Sequence, residues 1–211
     1  MGSADVSVIV PTYNSQKYIE RTLRSIIKNK ILMPNIEIVV INDGSTDHTG
    51  VILDKYKDDL KIINHKKNLG LPSALNTGIL NSVGQFIVRV DSDDFVLPEY
   101  CHILSTFLRL NNTIDAIKCD YLLIDELQNV IKEINSEKEP IGCGIMFRRE
   151  HLIEIGLYNP KQYLHEDKEL VKRFERSYKI VRIPLALYKY FIHGENITIK
   201  AKKGQSIRPK S

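Results

Sequence analysis

Three of the four residues in Asp91-Ser92-Asp93-Asp94 are carboxylates. Held so close, they repel one another unless a cation offsets them, and hard oxygen ligands suit Mg²⁺ or Mn²⁺ bridging a diphosphate. The plainer reading is a polar turn in which Asp94 caps a helix near Pro98. Asp43-Gly44-Ser45 is a second cluster. Its carboxylate could accept from a base N–H or a ribose hydroxyl, although the same residues also make an ordinary turn. Tyr13 could stack on a nucleobase or simply pack. His165-Glu166-Asp167-Lys168-Glu169-Leu170 gathers titratable groups where a helix begins. Acids are favoured there by the helix dipole. Alternatively, one of them is a general base that takes a proton from an attacking hydroxyl. Spacing alone does not choose between Glu166 and Asp167. His193 stands by itself, and a lone histidine is more often structural than a ligand.

The elements around these clusters read as βαβ units, with short β-branched runs alternating with helix-period segments through the first hundred residues. Strands are expected at Val6–Val10, Ile36–Ile41, Leu60–Asn64 and Gln85–Val90. A helix follows the first strand through Tyr18, Ile19, Leu23, Ile26 and Ile27, capped by Asn14 or Ser15. A second helix, capped by Ser45 or Thr46, contains Val51, Ile52 and Tyr56, and a third runs through Ala74, Leu75, Ile79 and Leu80. Ligands bind beyond the carboxyl ends of strands in an open parallel sheet, and the clusters at Pro11–Asn14, Asn42–Gly44 and Asp91–Asp94 all fall there. In the second half, Ala116–Ile124 and Gln128–Ile134 read as a strand pair and Pro140–Phe147 as a glycine-containing strand. Arg149–Ile155 and Asp167–Arg176 read as helices, and Leu185–Ile192 as a last strand.

The 211 residues, 43% of them hydrophobic, suit one sizeable core. The net charge of +4 is mild and gives no reason to expect a nucleic-acid partner. Lys200, Lys202, Lys203, Arg208 and Lys210 cluster without an acid, as a solvated tail or as a contact for phosphate or an anionic membrane. Cys101, Cys119 and Cys143 lack metal spacing and read as buried thiols of a reducing compartment. With no apolar run near the ~18 residues of a membrane span and no signal peptide, a cytoplasmic protein is expected, at the inner face of the membrane if the tail binds it.

In order, the chain carries Ser7-Val8-Ile9-Val10-Pro11-Thr12-Tyr13-Asn14, Val40 to Asp47, Asn68 to Leu71 with Ala74 to Gly78, Val90 to Asp94, Phe147 to Arg149 with Ile155-Gly156, and His165 to Leu170. Six such segments in this order resemble family 2 of the inverting nucleotide-sugar glycosyltransferases. The resemblance implies the A-type fold, a single α/β domain with a mainly parallel, Rossmann-like sheet flanked by helices. Residues 1–97 would form the nucleotide-sugar-binding half, 98–198 the acceptor-binding and catalytic-base half, and 199–211 the basic tail. It further implies that Pro11, Tyr13 and Asp43 bind the nucleobase, that Asp91 contacts ribose or the metal, and that Asp93 and His193 hold Mn²⁺ or Mg²⁺. Asp167 would be the catalytic base, with Glu166 orienting groups beside it. Two positions depart from the family pattern. Leu75 and Phe191 stand where members often carry arginine, which leaves the metal or the basic tail to offset more of the diphosphate charge.

The expected reaction is transfer of a sugar, with inversion, from a nucleotide-diphosphate donor, UDP favoured, to a glycan or lipid-linked acceptor in surface glycan or polysaccharide synthesis. The short acceptor half leaves a second copy of the chain or a membrane surface to complete it. A nucleotidyltransferase would need a glycine-rich, cation-bearing loop where Pro11-Thr12-Tyr13-Asn14 stands. A non-catalytic nucleotide-sugar-binding module would not need Asp91, Asp93 and Asp167 together.

Overall fold

The computed structural model describes residues 4–162, 164–194 and 196; the basic tail lies outside them. In chain order the elements are β1 (Val6–Thr12), α1 (Ile19–Ile27), β2 (Glu37–Asn42), α2 (Thr49–Asp54), β3 (Lys61–Asn64), α3 (Leu71–Leu80) and β4 (Phe86–Arg89). They continue with β5 (Phe95–Val96), α4 (Tyr100–Leu110), β6 (Ala116–Ile124), β7 (Val130–Ile134), β8 (Ile145–Arg148), α5 (Arg149–Glu154), α6 (Glu166–Phe174) and β9 (Ile180–Phe191). All nine strands join one sheet in the order β3-β2-β1-β4-β8-β6-β9-β5, with β7 beside β6.

The first four strands pair in parallel, as the βαβ reading requires. Their burial on both faces explains the near-continuous apolar runs. On one face Val8 and Val10 pack with Ile19, Leu23 and Ile26 of α1. On the other, Ile9 and Ile41 meet Ala74, Leu75 and Ile79 of α3. Gly78 lets α3 lie this close, because a Cβ there would sit 2.6 Å from Ile41 Cδ1.

Beyond β4 the sheet is mixed rather than mainly parallel. β8 runs antiparallel to β4 and β6, whereas β9 runs parallel to β6. β9 starts at Ile180, before the expected Leu185, and Pro184 falls where the β6–β9 register jumps from Ile183 to Ala186. Proline has no N–H for the ladder, so the strand bulges there and resumes. β8 is shorter than expected, since the chain reaches Ile145 through Gly144 at φ 82°. The short β5 was not anticipated, and the helix expected near Pro98 is α4, with Glu99 rather than Asp94 at its N-cap.

The helix caps also differ from expectation. Asn14 and Ser15 do not cap α1 with their side chains. Asn14 instead turns to φ 49° and accepts from the Thr46 N–H through Oδ1, tying the β1 loop to the β2 loop. Asp47, rather than Ser45 or Thr46, accepts from the Thr49 N–H at the start of α2. Among the described residues no helix is long and apolar enough to cross a membrane.

Candidate active site

Three parallel strands deliver polar groups to one rim. At the end of β1, Pro11 is buried and Tyr13 is 43% exposed, available as a face for a planar ligand. Thr12 Oγ1 between them is buried without a hydrogen-bond partner among the described residues. Such a group is normally satisfied by water or ligand.

Past β2, Asp43 is buried and holds the neighbouring loop. Its Oδ1 meets His65 Nδ1 at 2.6 Å and accepts from the Leu69 N–H at 2.9 Å, and its Oδ2 accepts from the Gly70 N–H at 2.9 Å. His65 passes the link on to Thr77 Oγ1 on α3, 3.0 Å away. Gly44 must be glycine. It sits at φ 71°, and a Cβ would fall 2.6 Å from Asn68 N.

The strand β4 ends in a buried charge network. Arg89, almost fully buried, donates from Nε to Asp91 Oδ1 at 2.6 Å and from Nη2 to Asp91 Oδ2 at 3.1 Å. Its Nη1 donates to Glu166 Oε1 at 2.9 Å. Burial works against the cation, but the carboxylates of Asp91 and Glu166 overcome it and hold Arg89 firmly charged. Thus Asp91, at the donor rim, and Glu166, in the first turn of α6, are joined through one guanidinium.

Asp93 stands apart from that pair. Its Oδ2 lies 2.8 Å from His193 Nε2 and accepts from Asn196 Nδ2 at 3.3 Å, while Oδ1 takes no hydrogen bond among the described residues. The imidazole is fixed by neighbours, with Tyr18 4.4 Å and Phe191 5.0 Å away between ring centroids. A carboxylate with a spare oxygen beside an oriented imidazole nitrogen is a donor set that a divalent cation such as Mn²⁺ fits.

Asp94 has a different task. It is 1% exposed and does not cap a helix. It accepts from the Tyr188 hydroxyl at 2.7 Å and the Phe191 N–H at 2.8 Å, locking β9 to the acidic loop. Burial, then the charges of Asp93 and Asp91, push its carboxyl well above the usual range. Cys143 donates to Asp91 Oδ2 at 3.1 Å, and Asp91, Asp94 and Cys143 lie together tightly enough to contact a single ion. Arg89 and Tyr188 already occupy those carboxylates, whereas Asp93 keeps Oδ1 without a hydrogen bond among the described residues.

Asp167 is half-buried in the first turn of α6, and its carboxylate accepts no hydrogen bond among the described residues, which leaves its lone pairs for an incoming proton. It lines an open cleft of about 400 Å³ with Pro140, Ile141, Lys168 and Val171. Gly142 makes the approach possible, since a Cβ there would overlap Asp167 Cβ and lie 3.2 Å from its Cγ.

Arg89 and Arg21 were missed in the sequence. A lone arginine in the apolar run Ile87-Val88-Arg89-Val90 was the available signal for the first. Arg21 lies over the Phe95 and Phe191 rings, 3.9 and 4.3 Å from their centroids, with Nη2 3.4 Å from the Asp93 carbonyl oxygen. Phe191 is therefore the seat of a cation rather than a gap in the charge. Leu75, 1% exposed, belongs to the core beneath the rim.

A sheet with its polar loops beyond the carboxyl ends of β1, β2 and β4 is laid out as an open α/β ligand-binding fold, and solved relatives show it to be the A-type glycosyltransferase fold. The chain superposes on residues 1–349 of TarS from S. aureus, crystallised in complex with UDP, with a TM-score of 0.75 and 25% identity, covering 90% of this chain and 61% of that one. It shares the fold of the mannosyltransferase PcManGT from Pyrobaculum calidifontis, solved with GDP-Man and Mn²⁺, at a TM-score of 0.74 and 20% identity, covering 93% and 59%. Residues 7–156 match the family described as Glycosyl transferase family 2, and the chain belongs to that family. An uncharacterized glycosyltransferase of Haemophilus influenzae is 33% identical over 214 residues, covering 90% of this chain and 66% of that protein. The chain thus spans less than two thirds of the length of these three relatives.

Proposed function

We propose that this glycosyltransferase moves a sugar from a nucleoside-diphosphate donor, with UDP the favoured nucleotide, to an acceptor hydroxyl with inversion, in the synthesis of a surface glycan or polysaccharide. The observation that carries the reading is the Arg89 link, which ties the donor-side Asp91 to the first turn of the helix that presents Asp167. The binding of UDP by TarS and of GDP-Man with Mn²⁺ by PcManGT supports a nucleotide-sugar donor.

The nucleobase lies between Pro11 and Tyr13 and the loop pinned by Asp43, where Thr12 Oγ1 awaits a partner. Asp91, its oxygens oriented by Arg89, faces the ribose. Asp93 and His193 would hold a divalent ion, which would supply positive charge against the departing nucleoside diphosphate. Arg21 adds a fixed positive charge behind Asp93. Asp167 takes the proton from the acceptor hydroxyl as that oxygen attacks the anomeric carbon, and a single displacement inverts its configuration. Glu166, held by Arg89, sets the start of α6 so that Asp167 faces the reacting centre.

Asp167→Asn should abolish turnover while preserving the thermal stabilisation given by UDP-sugar with Mn²⁺, because a base acts mainly in the transition state. Normal turnover by this variant would remove Asp167 from the mechanism. Nucleotide sugars that fail to stabilise the wild-type chain would remove the donor reading.

A further inference from the structure

Four basic residues recur along one face at the start of the chain. Lys17, Arg21, Arg24 and Lys28 follow the i, i+4, i+7, i+11 spacing that stacks side chains on one side of a helix. This stripe, from just before α1 to just after it, forms one wall of an open cleft of about 570 Å³ whose other wall is Val96, Leu97, Pro98 and Lys189. Among the described residues, five basic side chains and one acid, Glu20, line it.

That acid is already committed. Glu20 Oε1 accepts from Arg24 Nη2 at 2.8 Å and from the Tyr56 hydroxyl at 3.1 Å, so Arg24 and Glu20 offset each other. Arg21, Lys28 and Lys189 make no ion pair among the described residues. Arg21 is also underused. Held over two aromatic rings, it spends one long hydrogen bond on the Asp93 carbonyl, and its Nε is buried without a partner. A guanidinium fixed in place by packing with donors to spare is preorganised for a planar or tetrahedral oxyanion.

None of Pro11, Tyr13, Asp43 and Asp91 lines this cleft, so apart from Arg21, which also reaches the Asp93 carbonyl, its charge is additional to the donor pocket. Its cations are spread along a groove with an apolar side at Val96 and Leu97, which suits repeated charges on a chain better than one compact anion. Its concavity favours an inserted chain over the flat surface of a membrane. We propose that the cleft between α1 and β5–β9 is a phosphate-binding subsite that takes a ligand bearing phosphodiester groups, entering beside Asp93. This inference does not depend on which sugar or nucleotide the donor carries.

The test compares the full chain with a Lys28→Ala/Lys189→Ala variant, since neither lysine has a role in the donor site. A short glycerol-phosphate oligomer, inorganic phosphate, and vesicles containing an anionic phospholipid are titrated against each. In parallel, the thermal shift given by UDP-sugar with Mn²⁺ is recorded. The oligomer should bind the wild type and bind the variant at least tenfold more weakly, with weakening at high salt and an unchanged donor shift. Inorganic phosphate binding as tightly as the oligomer, and lost in the variant, would overturn the phosphodiester chain as the occupant and leave a site for single phosphate groups. Equal oligomer affinity in both proteins, or binding to vesicles with none to either soluble phosphate, would overturn it. A missing donor shift alongside intact oligomer binding would count against the donor reading alone.

Discussion

Replacing Arg89 by methionine keeps an unbranched apolar stem and removes the charge. Three charge-assisted hydrogen bonds of 2.6, 3.1 and 2.9 Å disappear, leaving Glu166 about 10% exposed and Asp91 about 24% exposed with no cation between them. Removing one partner from a buried ion pair typically costs about 3–5 kcal/mol, because the remaining charge stays desolvated. The partial exposure of Asp91 puts the expected loss near 3 kcal/mol. For a chain of this size each kcal/mol lowers Tm by roughly 2–4 °C, so Arg89→Met should melt about 6–12 °C below wild type. Adding Glu166→Gln removes one stranded charge, and the double variant should regain about 1 kcal/mol or more relative to the single. Calorimetry on the four proteins of this cycle, with donor hydrolysis measured beside it, gives both readouts. Turnover should fall on the order of 100-fold in Arg89→Met, as the first turn of α6 loses its anchor to β4. A single variant melting within about 2 °C of wild type, or a double variant no more stable than the single, would refute the account.

Gly142→Ala brings a methyl group against Asp167, and the helix start must shift to accept it; a fall in kcat of on the order of tenfold or more, with the donor-induced thermal shift retained, is the outcome that turnover and melting assays should give. Asp120 accepts from Arg182 and from the Ser136 N–H, and the Arg182 hydrogen bond is the main cause holding its carboxyl below the usual range, against burial. A depressed folded pKa gives stability that is present above the unfolded value of about 3.9 and is lost as pH falls through the folded one. Acid unfolding curves of Asp120→Asn should therefore be flatter below about pH 4 than those of wild type. Burial pushes the Cys101 and Cys119 thiols up to about 12 and raises that of Cys143 well above its usual value, so all three should resist alkylation at pH 8 in the folded protein and react on denaturation, as mass spectrometry of labelled samples would count.

Much of the donor half was legible in the sequence because its strands are buried on both faces and therefore appear as unbroken β-branched runs. The rim clusters could be placed for the same reason, since each follows such a run. The second half was less legible. The breaks in its ladder depend on Pro184 and Gly144, whose effects on register appear only once β6 lies beside β9. Asp94 shows the limit within a motif. Adjacent aspartates look alike in sequence, yet one meets His193, one meets Arg89 and one is sealed under Tyr188. Which is which is decided by residues up to 100 positions away. Arg148 is a similar case. It belongs to a segment of the family pattern, but its guanidinium closes the end of α4 by donating to the Leu108 and Ile114 carbonyls.

The pairing of Asp93 with His193 spans 100 residues of chain, and Asp94 is held by a backbone N–H from the last turns of β9. The nucleobase loops, by contrast, are tied to one another by contacts within the first 77 residues. Contacts of such unequal separation close in sequence order, the short ones before the long, and domains organise from the amino end as they emerge during synthesis. The chain therefore ties its β1 and β2 loops together well before it can bring His193 to Asp93. On the proposed roles, a nascent or partly unzipped molecule would hold the donor's base before His193 reaches Asp93, and β9 would be the last element the reaction waits for.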